Sequence, residues 1–185
     1  MKNMKKAIAI LEFTTVSAGI RATDTMAKTA NIDIIEAGAV CPGKYLIIVS
    51  GMLSAVSAAV DAAKLAHGER FINGFILGNP HESILPAFYG STSIDKLQAL
   101  GVVETFDASS AVVAADTAAK TAVVELIEIR LAKGMCGKSF VTLTGEIAAV
   151  EAAINSAKKI ASEAGMLLDA CVIANPDEKL VKFLV

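Results

Sequence analysis

Tryptophan is absent from this 185-residue chain, aromatic residues make up only 5% of it, and charged residues 19%. Each shortage excludes something. A chain that is 54% hydrophobic cannot be intrinsically disordered. The net charge of −2, a pI near 5.7 and the lack of any lysine and arginine stripe argue against nucleic acid as a partner. Long apolar runs are missing too. The longest uncharged stretch lies between Lys44 and Asp61, is interrupted by Gly51 and serines, and falls short of the roughly 18 residues of a membrane span. Near the start, lysines precede the apolar Ala7–Leu11, and Glu12 ends that run too early for a signal-peptide core of about 7–15 residues. A cytosolic protein is expected. The three cysteines, Cys41, Cys136 and Cys171, are an odd set in a reducing compartment, so disulfides are not expected.

What is abundant is small and apolar: 33 residues are alanine. The chain is long enough to bury a core without staples. So little charge leaves apolar surface over, and such patches mark contact sites. Self-association is the expectation.

The chain is written twice. Residues 8–30 read IAILEFTTVSAGIRATDTMAKTA and residues 100–122 read LGVVETFDASSAVVAADTAAKTA. At an offset of 92, Glu12 matches Glu104, Asp24 matches Asp116, and Ala27-Lys28-Thr29-Ala30 matches Ala119-Lys120-Thr121-Ala122. After a two-residue insertion, Gly43-Lys44 matches Gly137-Lys138 and Gly51 matches Gly145; after another, Asn79-Pro80 matches Asn175-Pro176. The joint falls near residues 88–98, where Gly90-Ser91-Thr92-Ser93 reads as a linker. Domains over residues 5–88 and 98–185 are expected.

Each copy alternates strand, helix, strand, strand, helix, strand. In the first, Ala7–Phe13 reads as a strand and Val16–Thr29 as a helix. Ile32–Val40 and Tyr45–Ser50 form a strand pair around a Pro42-Gly43 turn. Leu53, Val56, Val60, Ala63 and His67 then recur at helical spacing, as do Ile147, Val150, Ile154, Ala157 and Ala161 in the second copy. Phe71–Leu77 and Met166–Ile173 close the copies as strands. This βαββαβ order predicts an α/β protein of the α+β kind, two tandem ferredoxin-like domains with helices on one face of an antiparallel sheet.

Catalytic motifs are scarce. Gly134-Met135-Cys136-Gly137-Lys138-Ser139 ends like a phosphate-binding loop, but position 132 is alanine and a strand follows where that loop needs a helix. His67 reads as a packed or partly exposed helix residue, and His81 as a turn residue. Asp24–Lys28 and Asp116–Lys120 are helix-surface pairs. Glu12 and Glu104 end the first strands, where a backbone amide is the expected partner. Cys171 reads as a small buried hydrophobe. Cys41 and Cys136 differ, because both fall in the turn between the second and third strands. Pro42 and Gly43 hold the Cys41 thiol at a tip, and Lys44 beside it favours the thiolate, the form that binds metal. One such cysteine cannot hold a metal, whereas a symmetric ring delivers one from each subunit. An incidental exposed thiol is the plain alternative.

Leu11-Glu12-Phe13, the run from Ala22 to Asn31, and Val40-Cys41-Pro42-Gly43-Lys44 together resemble tandem-domain bacterial microcompartment shell proteins. Gly101-Val102-Val103-Glu104-Thr105 and Ala114-Ala115-Asp116 repeat the signature. The resemblance implies a structural protein, not an enzyme, in the microcompartment shell of the bacterial cytoplasm. It implies a homotrimer whose six domains form a pseudohexameric tile beside neighbouring shell proteins, without membrane or nucleic acid. It places Cys41, Pro42, Gly43, Lys44, Met135, Cys136, Gly137 and Lys138 around a central pore, and Lys28, Lys120, Asn79 and Asn175 at the tile edge. In members with this loop, the first-copy cysteine, here Cys41, binds one [4Fe–4S] cluster per trimer on the threefold axis. That implies electron transfer across the shell and an electron-transfer partner. Two departures stand out. Asn79 and Asn175 replace the family's arginine, and Cys136 replaces a glycine, so Cys136 can join or replace the Cys41 ring. A shell tile with a metabolite-conducting pore and no cluster is the alternative. A thiol-dependent enzyme or small-molecule sensor on a duplicated fold is the alternative of another class.

Overall fold

The computed structural model describes residues 6–90 and 97–184. The first copy forms β1 (Lys6–Phe13), α1 (Val16–Thr29), β2 (Ile32–Val40), β3 (Lys44–Met52), α2 (Leu53–His67) and β4 (Phe71–Gly78). Alternation along β1 decides which side takes the helices. Ala7, Ala9, Leu11 and Phe13 join a core cluster with Ala18, Met26, Val56 and Val60 of the two helices. Ile8, Ile10 and Glu12 therefore point to the opposite face of the sheet. The strand order is β2-β3-β1-β4, every pair is antiparallel, and Leu11 stands opposite Ile47 and Gly74.

Local chemistry starts and spaces the helices. Thr15 caps α1 by accepting the Ala18 N–H at 3.3 Å. Gly19 lets α1 lie directly on Tyr45, since a methyl group there would run into the ring. In the second copy the matched pair is Ala111 and Ser139, a larger helix residue with a smaller strand residue.

The second copy repeats the order as β5 (Ala99–Thr105), α4 (Ala108–Thr121), β6 (Glu125–Leu131), β7 (Ser139–Gly145), α5 (Ile147–Glu163) and β8 (Leu167–Ile173), preceded by the short α3 (Ile84–Phe88). Its sheet runs β6-β7-β5-β8, again antiparallel. Asp107 caps α4 through the Ser110 N–H at 3.1 Å. A 3₁₀ segment, Glu178–Phe183, follows β8. The fold is the expected tandem ferredoxin-like α+β arrangement.

The chain divides into compact units at Met1–Pro80 and His81–Val185. Residues 81–88, expected in the first domain, thus group with the second unit. Ile84 and Ala87 are fully buried there, α3 packs on β6 and α4, and Asp116 accepts the His81 N–H at 2.7 Å. The Ser91-Thr92-Ser93 part of the expected linker lies outside the described residues.

Matched positions in the copies differ in burial. α1 exposes Val16 and Ile20, whereas their counterparts in α4, Ala108 and Val112, are buried. On the sheet faces away from the helices the difference reverses: Ile10 and Leu46 are buried, while Val102 and Phe140 are partly exposed.

Candidate functional site

The two turns between the second and third strands carry the candidate chemistry. In the first, the Gly43 N–H donates to the Val40 carbonyl at 2.9 Å, with Cys41 and Pro42 between them. The Cys41–Pro42 peptide is cis, and Gly43 has φ +91°, a region glycine enters without a Cβ penalty. Cys41 is partly exposed at the tip.

Lys44 does not serve Cys41 as its sequence position suggests. Its Nζ lies 3.0 Å from Glu12 Oε2. The Glu12 side chain is 4% exposed, that of Lys44 29%, and Glu12 Oε1 is buried with no hydrogen-bond partner. Strand register explains the pairing. Glu12 stands opposite Leu46, so Lys44, two residues away, lies on the same face at a diagonal position. The partner of Glu12 is therefore a lysine, not the backbone amide expected.

The second turn is built differently. The Lys138 N–H donates to the Met135 carbonyl at 3.1 Å, and the two residues between them, Cys136 (φ +54°) and Gly137 (φ +91°), are both left-handed, as in a type I′ turn. The two inserted residues are accommodated upstream, where Ala132 (φ +55°) and Gly134 (φ +72°) are also left-handed and the Ala132 N–H donates to Ser139 Oγ at 3.1 Å. β7 begins at Ser139, so no helix follows this glycine–lysine turn. Cys136 and Lys138 are exposed, Met135 is partly buried and Gly137 is buried. Gly43 and Gly137 share their φ and are each followed by lysine. Aligned on them, Met135 takes the place of Cys41, and Cys136 that of Pro42. The two thiols are thus one position out of step. Among the described residues, no group of three or more His, Cys, Asp or Glu side chains is placed to hold a metal ion.

The candidate edge residues occupy distinct settings. Lys28 pairs with Asp24 at 2.7 Å on an exposed helix surface, whereas Lys120 pairs at 2.6 Å with an Asp116 that is almost fully buried. Asn79 is exposed with φ +54°, a conformation asparagine tolerates. Asn175 is exposed after β8.

Cys171 corrects a sequence expectation. It is exposed rather than buried, because it shares the outward face of the edge strand β8 with Asp169 and Ile173. Partial desolvation, then the Asp169 and Glu104 carboxylates, push its thiol above the ordinary value. The histidines have local partners: His67 Nε2 lies 3.1 Å from Thr25 Oγ1, and His81 Nδ1 2.8 Å from Ser83 Oγ.

The chain is a duplicated α+β protein, two four-stranded units of the same strand order, each with one cysteine in the turn between its second and third strands. The chain belongs to the BMC domain family, whose model matches residues 7–80 and 99–176, once per copy. It is 36% identical to the bacterial microcompartment shell protein PduT of Citrobacter freundii over 182 residues, 98% of this chain and 99% of that one. The carboxysome shell protein CcmK2 of Thermosynechococcus vestitus matches 46% of this chain and 91% of its own length, at 30% identity. Among solved structures, a microcompartment protein from Desulfitobacterium hafniense superposes with a TM-score of 0.92 and 43% identity, covering 96% of this chain and 99% of that one. The chain is accordingly a structural shell protein of a bacterial microcompartment, not an enzyme. Among the described residues, no helix is long and apolar enough to cross a membrane.

Proposed function

We propose that three copies of the chain close into a pseudohexameric tile of the microcompartment shell in the bacterial cytoplasm, beside neighbouring shell proteins. The observation that carries this is the likeness to PduT across nearly the whole chain, together with apolar surface on α1 that a second chain can cover. Head-to-tail contact between two different surfaces of the same chain gives a closed ring when the rotation closes. Each of the two copies, residues 7–80 and 99–176, supplies one domain of the ring. The turns at Cys41–Lys44 and Met135–Lys138 surround the pore, and Lys28, Lys120, Asn79 and Asn175 lie at the tile edge.

The same reading gives the pore a redox role. The donor chemistry suits a [4Fe–4S] cluster: thiolates hold such clusters, and Cys41 offers one partly exposed thiol per chain, hence three per trimer. Cys136 offers a second set. A bound cluster supplies one-electron transfer, here to a partner across the shell. Cys41 would hold it, and the Lys44–Glu12 pair keeps the lysine ammonium on the sheet face. Anaerobic iron and sulfide analysis of the purified oligomer, with electron paramagnetic resonance after reduction, tests this. The expected result is about four irons per trimer, lost in Cys41→Ser. Iron near zero in wild type made with iron present overturns the cluster and leaves a metabolite conduit. A signal retained in Cys41→Ser and lost in Cys136→Ser moves it to the second ring.

A further inference from the structure

The repeat extends past the last strand of each copy, and there the two copies meet different fates. At an offset of 96, His81-Glu82-Ser83-Ile84 matches Asp177-Glu178-Lys179-Leu180, and Ala87 matches Phe183. The two segments share two matched hydrogen bonds. The Ile84 N–H donates to the His81 carbonyl at 3.1 Å, and the Leu180 N–H to the Asp177 carbonyl at 2.9 Å. The Ser83 N–H donates to His81 Nδ1 at 3.3 Å, and the Lys179 N–H to Asp177 Oδ1 at 2.9 Å. Both segments then make a short helical turn. Burial is where they part. Ile84 and Ala87 are both 0% exposed, whereas Leu180 is 39% and Phe183 77% exposed.

The surface that receives the first segment is also present twice. His81, Ser83 and Pro86 line a groove with Leu126 at the start of β6, α3 packs on that strand, and Asp116 Oδ1 accepts the His81 N–H. The counterparts in the first copy are Ile34 and Asp24. Leu126 is 1% exposed and Ile34 46%. Asp24 meets Lys28 through Oδ2, as Asp116 meets Lys120, so the same oxygen, Oδ1, is placed for an incoming N–H.

We propose that residues 177–184 of one chain dock on α1 and β2 of a second copy of this chain. Leu180 and Phe183 cover Ile34, and the Asp177 N–H is bonded to Asp24 Oδ1. The buried α3 contact is the template within the same molecule. Pro86 and Glu125 line one groove, and their counterparts are Lys182 and Asp33, a cation and an anion; Lys28, paired with Asp24, offsets the carboxylate that Asp177 brings where the template has His81. A preformed turn loses little freedom on docking, which favours association. The proposal rests on the ring-forming reading above and specifies which surfaces meet.

Sedimentation equilibrium of the full-length chain tests it. The tail variant Leu180→Asp/Phe183→Asp and the receiving-surface variant Ile34→Asp are each expected to weaken self-association at least tenfold. The combination should lose little more than either alone, since both break one contact. Leu65→Asp, at a site 90% exposed and on neither surface, should leave association unchanged. Hydrogen exchange gives an independent readout: the Asp177 and Leu180 amides should slow in the associated form and not in the variants. If wild type associates and both variants associate equally tightly, the docking is wrong while the ring stands. If wild type remains a monomer at all concentrations, both fall.

Discussion

Replacing Lys44 with methionine should be among the most damaging single changes outside the apolar core. Methionine keeps much of the stem and removes the ammonium 3.0 Å from Glu12 Oε2. The Glu12 side chain is 4% exposed and its other oxygen already lacks a partner, so the change leaves an uncompensated buried carboxylate. Removing one partner of a buried pair costs about 3–5 kcal/mol. Lys44 is 29% exposed, so water can enter the vacated space, and a loss of about 3 kcal/mol is expected. With a urea m-value of about 2 kcal/mol/M, the midpoint should fall by about 1.5 M. The chain has two tyrosines and no tryptophan. In a Tyr89→Phe background, therefore, the fluorescence of buried Tyr45 reports the first unit alone. Lys138→Met, at the matched but exposed position, should cost under about 0.5 kcal/mol. Glu12→Leu combined with Lys44→Met should recover most of the loss, since apolar pairs often replace buried ion pairs without penalty. A loss below about 1 kcal/mol in Lys44→Met, or no recovery in the double variant, would refute the buried-charge account.

Asp116→Ala removes the acceptor of the His81 N–H and the partner of Lys120 from an almost fully buried site. It should cost about 2 kcal/mol in urea melts of the dissociated chain, against about 0.3 kcal/mol there for Asp24→Ala, which is exposed until a second copy docks on it. Gly19→Ala drives a methyl into Tyr45 and should destabilise by about 3 kcal/mol. Adding Tyr45→Ser, which copies the Ala111–Ser139 pair, should relieve the clash, though the lost ring prevents full recovery; calorimetry on the two variants separates the terms. Cys171 is held protonated by partial desolvation and by Asp169 and Glu104. Asp169→Asn removes one carboxylate, lowers the thiol pKa and should speed iodoacetamide labelling of Cys171 about threefold at pH 8. Peptide mass spectrometry reads that rate, and an unchanged rate contradicts the electrostatic cause.

Strand alternation, helical stripes and the duplication were legible because each is written in neighbouring residues. What escaped depends on register or on residues far along the chain. Glu12 and Lys44 meet only because β1 and β3 pair with Glu12 opposite Leu46, which no local pattern specifies. α3 is five residues long with Pro86 inside it, and what orders it are Asp116 and β6, more than thirty residues downstream. Cys171 was readable, since a period of two puts it on the face of Asp169, and an aspartate there already points outward.

The turns divide in the same way. Pro42-Gly43 announces the first, but the second depends on the left-handed Cys136 and Ala132, residue types that do not advertise that conformation. Alignment of Gly43 with Gly137 then puts Cys41 and Cys136 at successive turn positions, one before a proline and one in a left-handed bend. In the proposed trimer the two copies therefore supply two inequivalent sets of three thiols, and Cys41→Ser and Cys136→Ser are expected to act differently on iron bound by the oligomer.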